Sequence, residues 1–366
     1  MDRKIKVGII FGGKSAEHEV SLQSAKNIID AIDREKFEVL LIGIDKSGKW
    51  HLNESSTFLL HEENPKLIQL NHSNQSVALI PGEETNQLLS SNNFESLGQI
   101  DVVFPVLHGP LGEDGTIQGL LRMANIPFVG ASVLGSAVNM DKDVAKRLLR
   151  DSGIHIANFM TLYRHTKDQF TFHDVKEKLG VPFFVKPANL GSSVGISKVK
   201  HEQEFAEAIN QAFLYDHKVV IEECITGREI ECSVLGNEDP IASVPGEILP
   251  QQEFYSYEAK YIDEKGALLQ IPADLPPEIA KEIQQIATRA YQVLCCEGMG
   301  RVDFFLTEEG EIILNEINTI PGFTRISMYP KLWEASGISY SDLITKLIQL
   351  SLDRHRRDQQ LKDSYV

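Results

Sequence analysis

GRVDFFLTEEGEIILNEIN, residues 300–318, is the stretch whose reading decides the fold. Runs of Val, Ile, Leu and Phe flank Glu308-Glu309-Gly310, which predicts a β-hairpin over that turn. Side chains alternate faces along a strand. Arg301 and Asp303 therefore share one face of the first strand, and Glu316 and Asn318 share one face of the second. A register slip of one residue would separate them; in the paired register the four groups converge near the hairpin mouth. Two carboxylates and an amide oxygen are hard donors that suit Mg²⁺, which keeps waters and bridges substrate phosphates. Arg301 would sit where negative charge develops. The plain alternative is a solvated polar face on which Arg301 simply pairs Asp303. The apolar flanks argue for buried strands, and buried carboxylates need partners, which favours a metal site.

Upstream, LGVPFFVKPA (179–188) and SSVGISKV (192–199) read as two strands joined by a loop holding Asn189, Gly191, Ser192 and Ser193. Such a small-residue loop lets backbone N–H groups approach phosphate oxygens, and Lys186 supplies a point charge. The P-loop spacing is absent. A second lysine, Lys142, follows Met140-Asp141 at a predicted helix start. KVVIEECI (218–225) and REIECSVLG (228–236) are strands around a turn at Thr226-Gly227. Residues 251–266 carry many aromatic and charged residues without a period, and read as a long ordered loop. A helix from Pro277 to about Leu294 leads into the hairpin, and a last helix covers about 339–353.

The N-terminal part alternates differently. KIKVGIIF (4–11), a helical stripe of Leu22, Ala25, Ile28, Ile29 and Ile32, and FEVLLIGI (37–44) form a β-α-β unit, which predicts a parallel sheet with a right-handed crossover. Residues 53–98 are polar and read as an irregular insertion at its edge. DVVFPVL (101–107) returns to a buried strand and runs into HGPLGEDGTIQG, with two helices expected over about 132–152. Glu17, His108 and Glu113 lie on Gly-rich turns after strands, where ligands of open parallel sheets bind. The glycine spacing does not fit a dinucleotide fingerprint. Three polar turns at strand ends point to one shared cleft.

Composition narrows the classes further. The chain has 366 residues, 42% hydrophobic and 24% charged, as expected of a globular protein of two or three domains. Its 52 acidic residues against 36 Lys and Arg give −16, which argues against a nucleic-acid partner. Cys224, Cys232, Cys295 and Cys296 show no metal or redox spacing and read as reduced thiols. The apolar runs are too short for a signal peptide or a membrane span, so a cytoplasmic protein is expected.

Together these pieces resemble the ATP-grasp enzymes, and closely the D-alanine–D-alanine ligases of cell-wall synthesis. The matching motifs, in family order, are GGKSAEHEVS (12–21), HGPLGEDGTIQG (108–119), MDK (140–142), KPANLGSSVG (186–195), EAKY (258–261), GRVDFF (300–305) and NEINTIPGFT (315–324). The resemblance implies an α/β and α+β architecture: a Rossmann-like parallel-sheet domain over 1–140, a central α+β subdomain over 141–235, and a C-terminal α+β subdomain over 236–366 with an omega-type loop at 251–265. It implies that ATP phosphorylates the carboxylate of one D-alanine and that the amine of a second attacks the acylphosphate, for peptidoglycan precursor synthesis. Lys142 and Lys186 would hold the α and β phosphates, with Ser193 in the phosphate loop, and Lys260 would reach the γ phosphate. Glu222, Glu223, Cys224 and Ile225 would face adenine, and Glu229 the ribose. Asp303, Glu316 and Asn318 would bind two Mg²⁺ ions, with Mn²⁺ as a substitute. Arg301 and the N–H of Gly322 would stabilise the tetrahedral oxyanion. Glu17 would bind the first substrate's ammonium and, with Ser192 and Tyr261, close the 251–265 loop. His108 would lie near the first substrate's carboxylate, and Ser327 and Met328 near the second's. Tyr261 favours an amine as second nucleophile. Arg325 departs from the small or neutral residue expected there, and solvent is its expected direction. A homodimer through the first domain is the family tendency.

Overall fold

The computed structural model describes residues 3–54, 57–62, 64, 67–71, 73, 75–83, 86–250 and 267–362. The 251–265 loop, with Lys260 and Tyr261, lies outside the described residues.

In the first unit, β1 (Ile5–Gly12) and β2 (Phe37–Ile44) run parallel around α1 (His18–Ala31). β3 (Trp50–Asn53) pairs antiparallel with β2, and β4 (Val102–Val106) pairs parallel with β1, in the order β3-β2-β1-β4. Both faces of β1 are buried: Val7, Ile9 and Phe11 face one apolar cluster and Ile10 another. A sheet buried on both sides needs helices on both sides. α2 (Thr116–Met123) covers one face through Ile117 and Leu121. α1 covers the other only in part. The helices α3 (Val133–Met140) and α4 (Lys142–Asp151) then lead out of this unit.

The central unit is an antiparallel sheet built from β5 (Phe159–Tyr163), β6 (Phe183–Pro187), β7 (Ser197–Val199) and β8 (Lys218–Glu223), in the order β5-β8-β6-β7. Helices α5 (Phe172–Leu179) and α6 (Glu202–Ala212) back it through Val175, Leu179, Ile209 and Ala212. The six-stranded C-terminal sheet comprises β9 (Arg228–Gly236), β10 (Gly246–Pro250), β11 (Ala267–Gln270), β12 (Gly298–Leu306) and β13 (Ile312–Asn318), ordered β11-β10-β9-β12-β13, with the short strand Ile241–Ala242 paired to β9. α7 (Pro277–Val293) packs beneath it through Ile283, Ala287, Ala290 and Tyr291. α8 (Met328–Ala335) and α9 (Tyr340–Asp358) send Trp333, Leu343 and Leu347 into the same cluster as Val7 and Phe11. The last helices thus complete the cover of the first sheet, and the first and last parts of the chain share one core.

Three features depart from the sequence reading. Residues 53–98 are not simply irregular: Leu59–Leu60 pairs with Gln69–Leu70, and Val77–Leu79, Leu88–Ser90 and Ser96–Gly98 form a small sheet. Phe58, Ile68, Leu70, Val77 and Leu88 are buried, so a few scattered apolar residues fix a polar segment. The strands flanking Thr226-Gly227 belong to different sheets, and β9, which ends at the expected 235/236 boundary, is hydrogen-bonded into the C-terminal sheet. The helix over Met328–Ala335 had no place in the sequence reading.

Candidate active site

The central and C-terminal sheets face each other across a cleft of about 280 Å³. It is lined by Lys142, Lys186, Ser192, Ser193, Glu222, Glu223, Cys224, Ile225, Glu229, Arg301, Asp303, Glu316, Gly322, Ser327 and Met328. Residues named from motifs up to 186 positions apart, Lys142 and Met328 at the extremes, therefore meet in one place.

One wall is a chain of lysines. Asp141 caps α4, accepting from the N–H groups of Asp143 and Val144, and Lys142 follows in the first turn. Lys142 Nζ donates to the Leu190 carbonyl at 2.8 Å and lies 3.5 Å from Glu316 Oε2. Lys186, at the end of β6, reaches Glu222 Oε2 at 3.1 Å. Glu222 Oε1 is held at 3.0 Å by Lys146. Lys146 and Glu222 are each only 2% exposed. Burial alone would raise the Glu222 carboxyl, but the two ammonium groups outweigh it and hold it below the usual range. Burial also lowers Lys146. Lys146 was not picked from the sequence, although its i+4 spacing from Lys142 on one helix places it on the same face. The Glu223 carboxylate turns to Asn158, accepting from its N–H at 2.6 Å and its Nδ2 at 3.1 Å.

The opposite wall is the 300–318 hairpin, in the register that pairs its polar groups: Arg301 opposes Asn318 and Asp303 opposes Glu316. A bulge follows at Asp303/Phe304, which lets the polar face end while Phe304 returns to the core. Arg301 donates to both Asp303 oxygens at 2.8 and 2.7 Å and pairs with Glu231 Oε2 at 2.9 Å. Asn318 Nδ2 donates to Asp303 Oδ2 at 3.0 Å. Arg301 pairs Asp303, and the Asp303 and Glu316 carboxylates stand on directly opposed positions. Glu231 could have been found from its period-two spacing after Glu229. Two opposed carboxylates and an amide oxygen fit a divalent ion whose remaining ligands are phosphate oxygens and water. Among the described residues no group of three His, Cys, Asp or Glu side chains could hold a metal by itself.

The first unit closes the third side. Ser192, in the left-handed region with φ 52°, donates to Glu17 Oε1. Gly109 has φ 74°, and a Cβ there would lie 2.5 Å from Glu17 Oε2, so the loop needs glycine to bring Glu17 in. Desolvation pushes the Glu113 carboxyl up to about 8, reinforced by the Glu17 charge. His108 is buried, and desolvation pulls it down to about 4. Its Nδ1 meets the Ile320 carbonyl at 3.0 Å and its Nε2 meets Ser24 Oγ at 3.3 Å. Ser327, just before α8, accepts from the Thr324 N–H at 2.9 Å. Met328 packs on Ile248 and Leu332. Arg325 is exposed, in the direction expected.

A cleft between two antiparallel sheets, with lysines on one wall and paired carboxylates on the other, defines an ATP-grasp enzyme. The family models described as D-ala D-ala ligase N-terminus and D-ala D-ala ligase C-terminus match residues 6–131 and 148–349. The chain belongs to the D-alanine–D-alanine ligase family. It is 64% identical over 361 residues to a D-alanine–D-alanine ligase of Shouchella clausii, covering 99% of this chain and 98% of that one. It is 58% identical over 359 residues to D-alanine–D-alanine ligase A of Escherichia coli K12, covering 98% and 99%. Among solved structures it resembles the D-alanine–D-alanine ligase from Coxiella burnetii, with TM-score 0.85, 40% identity and coverage of 98% and 97%. It also resembles the VanG D-Ala:D-Ser ligase from Enterococcus faecalis, with TM-score 0.84, 38% identity and coverage of 95% and 100%.

Proposed function

We infer that the protein joins two D-alanine molecules into D-alanyl-D-alanine for peptidoglycan synthesis, using ATP. The observation that carries this reading is the meeting of Lys142, Lys186, Arg301, Asp303 and Glu316 in one cleft beside the Glu17–Ser192 contact. A carboxylate has no good leaving group at neutral pH. Its oxygen attacks the γ-phosphorus of ATP, ADP departs, and D-alanyl phosphate forms. The amine of a second D-alanine attacks the acyl carbon, loses a proton, and the C–O bond to phosphate breaks.

Phosphoryl transfer depends on position and charge. Lys142 and Lys186, with Ser193, hold the α and β phosphates; Lys260 reaches the γ phosphate. The apolar edge near Phe184, Cys224 and Ile225 takes adenine, and Glu229 takes the ribose. Asp303, Glu316 and Asn318 would hold two Mg²⁺ ions, or Mn²⁺, which would neutralise phosphate charge. Arg301, which grips Asp303 and Glu231, lines the same cleft as Gly322 and would stabilise the developing oxyanion beside the Gly322 N–H. Glu17, which accepts from Ser192, takes the first ammonium; the role expected of Tyr261, excluding water by closing the 251–265 loop, falls outside the described residues. Ser327 and Met328 place the second carboxylate at the N-terminus of α8.

No helix among the described residues is long and apolar enough to cross a membrane. The use of ATP and four free thiols fit a cytoplasmic enzyme. Leu120, Met123 and Leu134, exposed on α2 and α3, fit a homodimer through the first unit, which light scattering would check.

Purified protein with ATP, Mg²⁺ and D-alanine should release ADP and D-alanyl-D-alanine in equal amounts, read by mass spectrometry. Preferred turnover when D-serine or D-lactate is offered as the second substrate would reassign the product. No ADP formation with any of the three would sink the reading.

A further inference from the structure

The loop 320–323, which carries Gly322 at the cleft, is held on both sides of that glycine by the first unit of the fold. The Ile320 N–H donates to Glu113 Oε1 at 3.0 Å, and the other Glu113 oxygen accepts from the Gly109 N–H at 2.8 Å. The Ile320 carbonyl meets His108 Nδ1 at 3.0 Å. The Phe323 N–H donates to Ser24 Oγ at 3.1 Å, and Ser24 Oγ lies 3.3 Å from His108 Nε2. The Phe323 carbonyl accepts from Asn27 Nδ2 at 2.9 Å and from the Tyr340 hydroxyl at 2.7 Å. The Phe323 ring packs edge-on against Phe104 and Tyr340.

The proton count of this ring of bonds closes in one way. A carbonyl only accepts, so His108 Nδ1 carries the hydrogen toward Ile320. Nε2 is then an acceptor in the neutral ring. The Ser24 hydroxyl accepts from the Phe323 N–H and donates to Nε2. Ser24, His108 and the two peptide groups flanking Pro321-Gly322 thus form a closed circuit in a buried place, where an unmade bond is costly. Both ring nitrogens of His108 are engaged inside the protein.

We propose that Ser24 and His108, supported by Glu113, are positioning residues for the Gly322 oxyanion donor: they fix the backbone on either side of Gly322, so that its N–H is aimed before the tetrahedral intermediate forms. This rests on the ligase reading above. A preorganised donor acts on acyl transfer, the second half of the reaction, and leaves phosphoryl transfer untouched. When the donor is loose, D-alanyl phosphate still forms. Water then attacks its acyl carbon in place of the amine, which returns D-alanine and phosphate.

The test compares Ser24→Ala, His108→Asn and His108→Ala in the full-length enzyme, with ADP and dipeptide measured together. Ser24→Ala should lower dipeptide turnover roughly tenfold, on the scale of losing part of one oxyanion donor. Its KM for ATP and D-alanine should stay within about twofold, and its ADP-to-dipeptide ratio should rise above one. The amide Nδ2 of asparagine falls where His Nδ1 lies and can keep the Ile320 bond. His108→Asn should therefore recover at least about fivefold of the turnover lost in His108→Ala. Unchanged turnover with one ADP per dipeptide in Ser24→Ala overturns the proposal. So does a loss in the His108 variants that appears as a raised KM for D-alanine at constant kcat, which marks a substrate contact. Equal activity of His108→Asn and His108→Ala also overturns it, and decides the case if Ser24→Ala does not fold. Failure of the wild-type enzyme to form dipeptide would count against the ligase reading instead.

Discussion

Lys146→Met removes the cation that touches Glu222 Oε1 and leaves the side-chain volume nearly unchanged. Lys146 and Glu222 lie at 3.0 Å with side chains 3% exposed. Breaking a buried pair by deleting one partner costs about 3–5 kcal/mol, because the remaining charge keeps its desolvation penalty. Lys186 still holds Oε2 at 3.1 Å, so the lower end, about 3 kcal/mol, applies here. The same change alters the cleft. With one counter-charge gone, Glu222 competes harder for Lys186, which then has less to give a phosphate. If about half of a charge-assisted bond worth roughly 1.5–3 kcal/mol is lost, the KM for ATP rises about three- to tenfold. Chemical denaturation followed by circular dichroism reads the first effect, and ADP release against ATP concentration reads the second. Adding Glu222→Gln removes the orphaned charge, so the double variant should regain most of the lost stability. A single variant that loses less than about 1 kcal/mol with unchanged KM, or a double variant no more stable than the single, would refute the reasoning.

Three further outcomes are expected. Glu316→Gln should abolish turnover at ordinary Mg²⁺ and shift the divalent-ion requirement upward; unchanged turnover and Mg²⁺ dependence would remove Glu316 from the metal set. Lys260→Ala should keep nucleotide affinity within about threefold while slowing single-turnover ADP formation by more than tenfold, in line with a contact made chiefly in the transition state. His108 falls from 6.5 to about 4 in the folded state, so the unfolded chain binds more protons between those values. Its contribution to stability is complete above pH 6.5 and is lost as pH falls toward 4, by on the order of 3 kcal/mol. Glu113 shifts the opposite way, so the measurement is the difference in unfolding free energy between wild type and His108→Gln, which should vary across that window; a constant difference contradicts a buried neutral imidazole.

Much of the architecture was legible because strand and helix periods are local properties. The runs 4–11 and 37–44 could only be buried strands, and the stripe from Leu22 to Ile32 only a helix between them. The 300–318 hairpin was legible for the same reason, down to the alternation that puts Arg301 with Asp303 and Glu316 with Asn318. Less legible were the pieces whose state depends on distant partners. The 53–98 segment owes its small sheets to Phe58, Ile68 and Leu70 reaching one apolar cluster of the first unit and Val77 and Leu88 reaching the other. The Met328–Ala335 helix is short and packs against β9, about a hundred residues earlier in the chain.

By itself the sequence determined the ordered set of turns and strand ends that carry charge, and therefore the chemistry those groups can perform, because residue type and period need no third dimension. The tertiary structure alone decided which of those charges are already spent on each other. Glu222 is divided between Lys146 and Lys186, Arg301 between Asp303 and Glu231, and His108 is closed into a circuit with Ser24 and Ile320. The physical reason is that a hydrogen bond needs its partners within about 3 Å, and no periodicity in a chain states which groups from remote loops will lie that close.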